Sequence, residues 1–179
     1  MLGFLKRNSK EFKNLGALKT LYFSLVRSQV EYCNVVWAPL YRTHIDRLER
    51  IQKAFTRFAI FKFGFRSFLP YHTWCKLLGI DNLANRRKAA CSIFVYDILV
   101  GKTNCPKLLE LIGVSVPSRP LRFLNFLYVP FHRCNYGTME PLTNCIINFN
   151  LIYELIDFNL SREVVIESVR SYFYFLNNG

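Results

Sequence analysis

The chain has 179 residues, of which 51% are hydrophobic and 16% are aromatic, and its formal net charge is +12. This apolar content excludes an intrinsically disordered basic tail, and the length is sufficient to bury a core. The longest apolar runs fall short of the roughly 18–20 residues that cross a bilayer, and the start becomes charged at once with Lys6 and Arg7. We therefore expect no membrane span and no signal peptide.

The net positive charge of the chain comes entirely from its first half. Residues 1–88 contain 17 basic and five acidic side chains, whereas residues 89–179 contain seven of each. Such asymmetry indicates a polyanionic partner for one part of the chain. Nucleic acid is the usual candidate, and an anionic membrane surface is the alternative.

Hydrophobic residues recur at steps of three and four in the first part and predict amphipathic helices. One helix begins at Leu15 and ends before Pro39. The next begins at Thr43, as the N-cap, and ends near Lys62. The predicted apolar face of this second helix consists of Ile45, Leu48, Ile51, Phe55, Phe58 and Ala59.

The rest of the chain is predicted to consist of helices before and after one irregular segment. Helices fit 71–78, closed by Gly79, and 83–100, closed by Gly101, and a short helical turn follows at 105–112. Pro117 and Pro120 predict a linker, and the apolar run 123–131 is typical of a short strand or an extended arm. Helical periodicity returns at 140–157 and 161–175. The predicted fold class is mostly α, a helical bundle followed by a second helical C-terminal part with one extended or short β segment.

Residue patterns that would carry catalysis or hold a metal are missing from the sequence. It contains no glycine-rich phosphate loop and no adjacent carboxylates. Asp46 and Glu49 come nearest, and the flanking arginines predict that both form ion pairs within the helix. The six cysteines form no C-x-x-C pair, and His72 with Cys75 makes one half-site at best. We expect no metal, no cofactor and reduced thiols in an intracellular compartment, the nucleus or the cytoplasm.

Basic and aromatic side chains are therefore the candidate functional residues. Cationic side chains on one side of a helix suit phosphate contact without base specificity, although a solvated helix face has the same pattern. The candidate nucleic-acid-binding residues are Arg42, Arg47, Arg50, Lys53, Arg57, Lys62, Arg66, Arg86, Arg87 and Lys88. The aromatic residues Phe65, Phe68, Tyr71 and Trp74 either stack on unpaired bases or belong to the core, and the core is the favoured prediction.

Several segments resemble a known family when taken together. Residues 18–28, LKTLYFSLVRS, and 31–39, EYCNVVWAP, resemble a stretch of jockey-like non-LTR retrotransposon reverse transcriptases. Residues 1–12, MLGFLKRNSKEF, and 44–53, HIDRLERIQK, are similar to neighbouring stretches of that family. Shorter similarities at 75–78, 81–83, 86–88, 94–97, 136–142 and 158–162 extend the resemblance over essentially the whole chain.

The resemblance implies the thumb and post-thumb region of an RNA-directed DNA polymerase. It implies a thumb-like basic helical region at 1–62, a helical continuation at 63–112, an extended linker at 113–139 and C-terminal helices at 140–179. In the family the thumb grips the template–primer duplex by its backbone, and the catalytic aspartates of an F/Y-A-D-D motif lie upstream of these segments. No such motif occurs here. The expectation is a truncated fragment that contacts RNA or an RNA–DNA duplex non-specifically and is not active alone.

Other interpretations remain open at this point. The missing palm and fingers portion of a reverse transcriptase is a further candidate partner of the fragment. The chain also fits a non-functional pseudogene product. A basic amphipathic module that lies on a membrane surface, or that binds another protein, is the remaining alternative.

Overall fold

The computed structural model describes residues 1–64, 69–116 and 125–175, and these residues are mostly helical. The mostly α class is therefore confirmed. The only β pairing in the described parts is an antiparallel bridge between Val114 and Leu127. A short strand or an extended arm was expected at 123–131, and the β pairing in its described part is limited to this bridge. No helix of the described chain is long and apolar enough to cross a membrane.

The helices follow one another with short connections. In chain order they are α1 (Leu2–Asn8), α2 (Leu15–Tyr22), α3 (Ser28–Glu31), α4 (Asn34–Trp37), α5 (Arg42–Lys62), α6 (Tyr71–Leu78), α7 (Leu83–Leu99), α8 (Pro106–Leu111), α9 (Asn135–Thr138), α10 (Pro141–Asn150) and α11 (Arg162–Phe175). A π-helical turn, Phe23–Arg27, connects α2 to α3, and a 3₁₀ turn, Tyr153–Leu155, follows α10. The predicted helix at 140–157 is therefore shorter and ends in this turn.

The chain divides into two compact units. The first contains residues 1–34 and 39–84, and the second contains residues 35–38 and 85–179. One boundary between the units, after residue 84, falls inside the segment 63–112, the helical continuation that the family resemblance implied.

Two predicted helix boundaries in the first unit differ from the structure. The helix expected to run from Leu15 to Pro39 is interrupted after Glu31, where Cys33 adopts a left-handed φ of 49°. A side chain other than glycine rarely occupies this region, and an α-helix cannot continue through it. Helix α5 begins at Arg42, and its N-cap is Tyr41, two residues before the predicted N-cap Thr43.

Helix α2 and helix α5 form the core of the first unit. The rings of Tyr22 and Phe55 stack at 3.9 Å between centroids with an angle of 8° between their planes. Leu18 and Ala59 are fully buried beside them. The end of α6 is closed by Gly79 with φ 60°, a conformation that glycine adopts without strain, as the sequence predicted.

The second unit has its own core, built from α7, α10 and α11. Val95, Phe149 and Val169 are buried in it. The Asn150 side chain exchanges two 2.9 Å hydrogen bonds with the backbone of Leu127, which attaches the irregular segment to α10. Buried backbone groups outside regular structure need such hydrogen-bond partners. The Asn150 side chain therefore provides the two bonds that a neighbouring strand would otherwise provide.

Candidate nucleic-acid interface

The orientation of α5 decides which of its cations face solvent. Its buried residues are Glu49, Gln52, Phe55, Thr56 and Ala59. Three of these five are polar, and the predicted apolar residues Ile45, Leu48, Ile51 and Phe58 are only half-buried. The helix is therefore rotated from the predicted position toward its polar residues.

A buried hydrogen-bond network explains this rotation. Tyr22 Oη donates to Gln52 Oε1 at 3.2 Å, and Gln52 Nε2 donates to Tyr71 Oη at 3.0 Å and to the Asp81 carbonyl at 2.9 Å. Tyr71 Oη in turn donates to Glu49 Oε1 at 2.8 Å. Buried polar groups are tolerated when they are bonded in this way, and partners from α2, α6 and the loop before α7 hold α5 in one rotation.

Glu49 therefore has a structural role that the sequence did not predict. Glu49 is only 8% exposed, and its Oε1 also accepts a hydrogen bond from the Leu83 N–H at 3.3 Å. Leu83 is the first residue of α7, whose unpaired N–H groups favour a carboxylate. The expected ion pairing of Glu49 with its neighbouring arginines is wrong, because the carboxylate faces the interior.

The opposite side of α5 carries Arg47, Arg50 and Arg57, whereas Arg42 is the first residue of the helix and lies about 20° around the axis from Glu49. Arg42, Arg47, Arg50 and Arg57 are exposed, and we call these four residues the α5 arginines. Lys53 is half-buried, with Nζ 5.1 Å from the centroid of the Tyr71 ring. The exposed Asp46 is the acidic residue on this side of the helix. The structure thus exposes four of the ten predicted cations on one helix, and three of them lie opposite its buried residues.

Lys62 is engaged in holding the unit together. Its Nζ donates to the carbonyl oxygens of Ser9 and Lys10, each at 2.6 Å. These carbonyls follow the end of α1, where cations are favoured by the helix dipole. The ammonium group therefore joins α1 to the C-terminal end of α5.

The predicted cations at the start of α7 belong to the second unit and differ from one another in exposure. Arg86 and Lys88 are half-buried. Arg87 is only 4% exposed, so its guanidinium cannot reach a phosphate group in this conformation. We therefore withdraw Arg87 from the candidate contacts. Arg66, like Phe65 and Phe68, lies outside the described residues.

Two of the predicted aromatic residues are described by the structure. Trp74 is buried, so the core interpretation is correct for it. Tyr71 is half-buried, and its hydroxyl is occupied in the network. The sequence predicted no role for Phe61, whose side chain is 87% exposed on the same side of α5 as Arg50 and Arg57. The signal that could have revealed it is its spacing, four residues after Arg57 and eleven after Arg50.

Helix α1 supplies cations that the sequence interpretation left out. Lys6 Nζ lies 5.7 Å from the centroid of the Phe58 ring, which brings α1 beside the second half of α5. Arg7 and Lys10 are exposed nearby in the chain. Because Lys62 also contacts the carbonyls of Ser9 and Lys10, the exposed charges of α1 lie close to the end of α5.

Groups suited to metal binding are not assembled in the described ranges. No cluster of three histidine, cysteine or acidic residues is found there. All six cysteines are free thiols. Burial raises the pKa of the Cys75 thiol to about 11, which keeps this thiol neutral within the core.

The chain matches no protein-family model. No curated protein and no solved structure matches it either.

Proposed function

We propose that the first unit binds nucleic acid through the sugar–phosphate backbone, as a thumb-like region of a jockey-like reverse transcriptase. The observation that carries this proposal is the exposure of all four α5 arginines on one 21-residue helix. Arginine forms charge-assisted, bidentate hydrogen bonds with phosphate oxygens. Such contacts neutralise the backbone and contain no information about sequence.

The charge distribution supports a polyanion as the partner. Residues 1–88 contain the entire net charge of +12, and the second half of the chain is neutral. A positive field of this kind raises the association rate with a polyanion and is weakened by salt. The proposed ligand is RNA or an RNA–DNA duplex, and the palm and fingers of a polymerase are the second proposed partner. The proposed location is the nucleus or the cytoplasm, where free thiols persist.

A salt titration of binding tests the proposal. The logarithm of the association constant for a B-form duplex falls with the logarithm of salt by about 0.9 for each phosphate neutralised. The probe is a blunt RNA–DNA duplex, measured by fluorescence anisotropy. We expect the wild-type affinity to fall steeply with salt, and replacement of all four α5 arginines by alanine to reduce the slope by about 3.6.

A matched control separates the site from bulk charge. Lys102, Lys107, Arg133 and Arg170 are exposed residues of the second unit, and their joint replacement by alanine removes the same four charges. We expect this variant to retain most of the salt dependence. Equal losses in the two variants, or a wild-type affinity that does not respond to salt, would contradict the proposal. Binding to anionic vesicles instead of the duplex would favour the membrane alternative.

A further inference from the structure

Phe61 is an exposed ring on the side of α5 that carries Arg50 and Arg57. It is 87% exposed although it belongs to a regular helix of 21 residues. Within the described parts of the chain, no other ring pairs with it and no cation lies over its face. Both faces of the ring are thus open to a ligand.

The Phe61 ring lies on the same side of α5 as Arg50 and Arg57. A helix turns by about 100° per residue, so Phe61 lies about 40° around the axis from Arg57 and about 20° from Arg50. The rise between Arg57 and Phe61 is about 6 Å. A phosphate group held by Arg57 would therefore leave the base of a neighbouring nucleotide within reach of the ring.

The backbone beneath the ring is held in place from two sides. The next residue, Lys62, contacts the carbonyls of Ser9 and Lys10 at 2.6 Å. The Phe63 N–H donates to the Ala59 carbonyl at 3.0 Å and closes the last turn of the helix. A ring on a fixed backbone loses little conformational freedom when a ligand stacks on it, which favours binding.

We propose that Phe61 is a stacking platform for an unpaired base of the strand that the α5 arginines hold. The inference rests on the proposed function and specifies its ligand, a nucleic acid with a single-stranded segment. Combinations of cationic grooves and exposed aromatic rings bind single strands in this way, because every base presents a π-face. Paired bases inside a duplex already stack on each other, so they have no free face on which the Phe61 ring could stack. The neighbouring arginines favour the polyanion over an apolar protein surface as the occupant.

The test compares two probes and four variants. The probes are a single-stranded RNA oligonucleotide containing one 2-aminopurine and a blunt RNA–DNA duplex of the same length. We expect Phe61→Ala to weaken binding of the single strand by about 5- to 100-fold and to leave duplex binding within about twofold. We expect Phe61→Tyr and Phe61→Trp to retain binding and to quench 2-aminopurine fluorescence. Phe61→Leu retains an apolar side chain without a π-face and should behave like the alanine variant.

The possible outcomes separate this inference from the proposed function. If the wild type binds the duplex in a salt-dependent manner but Phe61→Ala leaves single-strand binding unchanged, the stacking inference alone is overturned. Retention of single-strand affinity by Phe61→Leu would overturn it as well, since a simple apolar contact would then suffice. If the wild type binds neither probe in a salt-dependent manner, the stacking inference and the proposed function are both overturned. Because the side chain is exposed, we expect all four variants to fold, and circular dichroism verifies this.

Discussion

The Tyr71 hydroxyl donates a 2.8 Å hydrogen bond to the Glu49 carboxylate, and the same carboxylate oxygen accepts the Leu83 N–H at 3.3 Å. One buried acid on α5 therefore connects the first residue of α6 and the first residue of α7. The α5 arginines owe their exposure to this arrangement, because the network determines which side of the helix is internal.

Removing the Glu49 carboxylate should destabilise the first unit. Glu49→Ala leaves the half-buried Tyr71 hydroxyl and the buried Leu83 N–H without this acceptor, and we expect a loss of about 1–3 kcal/mol in the free energy of unfolding, measured by urea denaturation. Asp46→Ala removes the same charge from the exposed side and should change stability by less than about 0.5 kcal/mol. Equal effects of the two substitutions would contradict the buried role of Glu49.

Alkaline pH should destabilise the same network. Burial raises the pKa of Tyr22, and burial together with the negative charge of Glu49 raises the pKa of Tyr71. The folded-state values lie above the unfolded value of about 10, so the neutral hydroxyls contribute fully below that pH and lose their contribution as the pH rises above it.

Denaturation midpoints measured across this pH range test the expectation. The wild type should lose stability from about pH 10 upward, and Tyr22→Phe should reduce the steepness of this loss because one buried phenol is gone. Tyr32→Phe, which removes a phenol that is 75% exposed, is the control. The expectation fails if the two variants respond to pH in the same way.

Substitution of Lys62 should affect the stability of the first unit, whereas substitution of Arg57 should affect binding to nucleic acid. Lys62→Ala removes two hydrogen bonds from a charged donor, and we expect a loss of about 1–2 kcal/mol in stability without a change in the salt slope. Arg57→Ala should do the reverse and lower the slope by about 0.9 while stability stays within about 0.5 kcal/mol. Urea denaturation and the duplex titration measure the two quantities. A reduced salt slope in Lys62→Ala would show that this ammonium group reaches phosphate after all.

An ion pair in the second unit should depend on the shape of arginine. Arg162 Nε and Nη2 each donate to one oxygen of Asp97 at 2.7 Å. Lysine retains the charge but cannot form both bonds, so Arg162→Lys should lower the melting temperature nearly as much as Arg162→Ala. Arg170→Ala on the same helix removes an exposed charge and serves as the control. A fully stable Arg162→Lys variant would mean that charge alone maintains this contact.

Local signals were sufficient to place most helices. Gly79 with φ 60° and Gly101 with φ 74° lie where the sequence predicted helix ends, because a positive φ is accessible to glycine at little cost. Helix α5 ends at Lys62 as expected. The break at Cys33 was not predictable, since the apolar spacing continues through it and no glycine or proline marks the position.

The sequence by itself determined the helical class, most helix boundaries and the concentration of charge in residues 1–88, because periodicity, chain-breaking residues and charge are local properties. Only the tertiary structure decided that Glu49, Gln52 and Arg87 are internal and that Phe61 is exposed. A hydrophobic pattern defines a broad stripe around a helix and leaves its rotation open. For α5 the rotation depends on hydrogen-bond partners such as Tyr22 and Leu83, which lie about 30 residues away in the chain and come together only on folding.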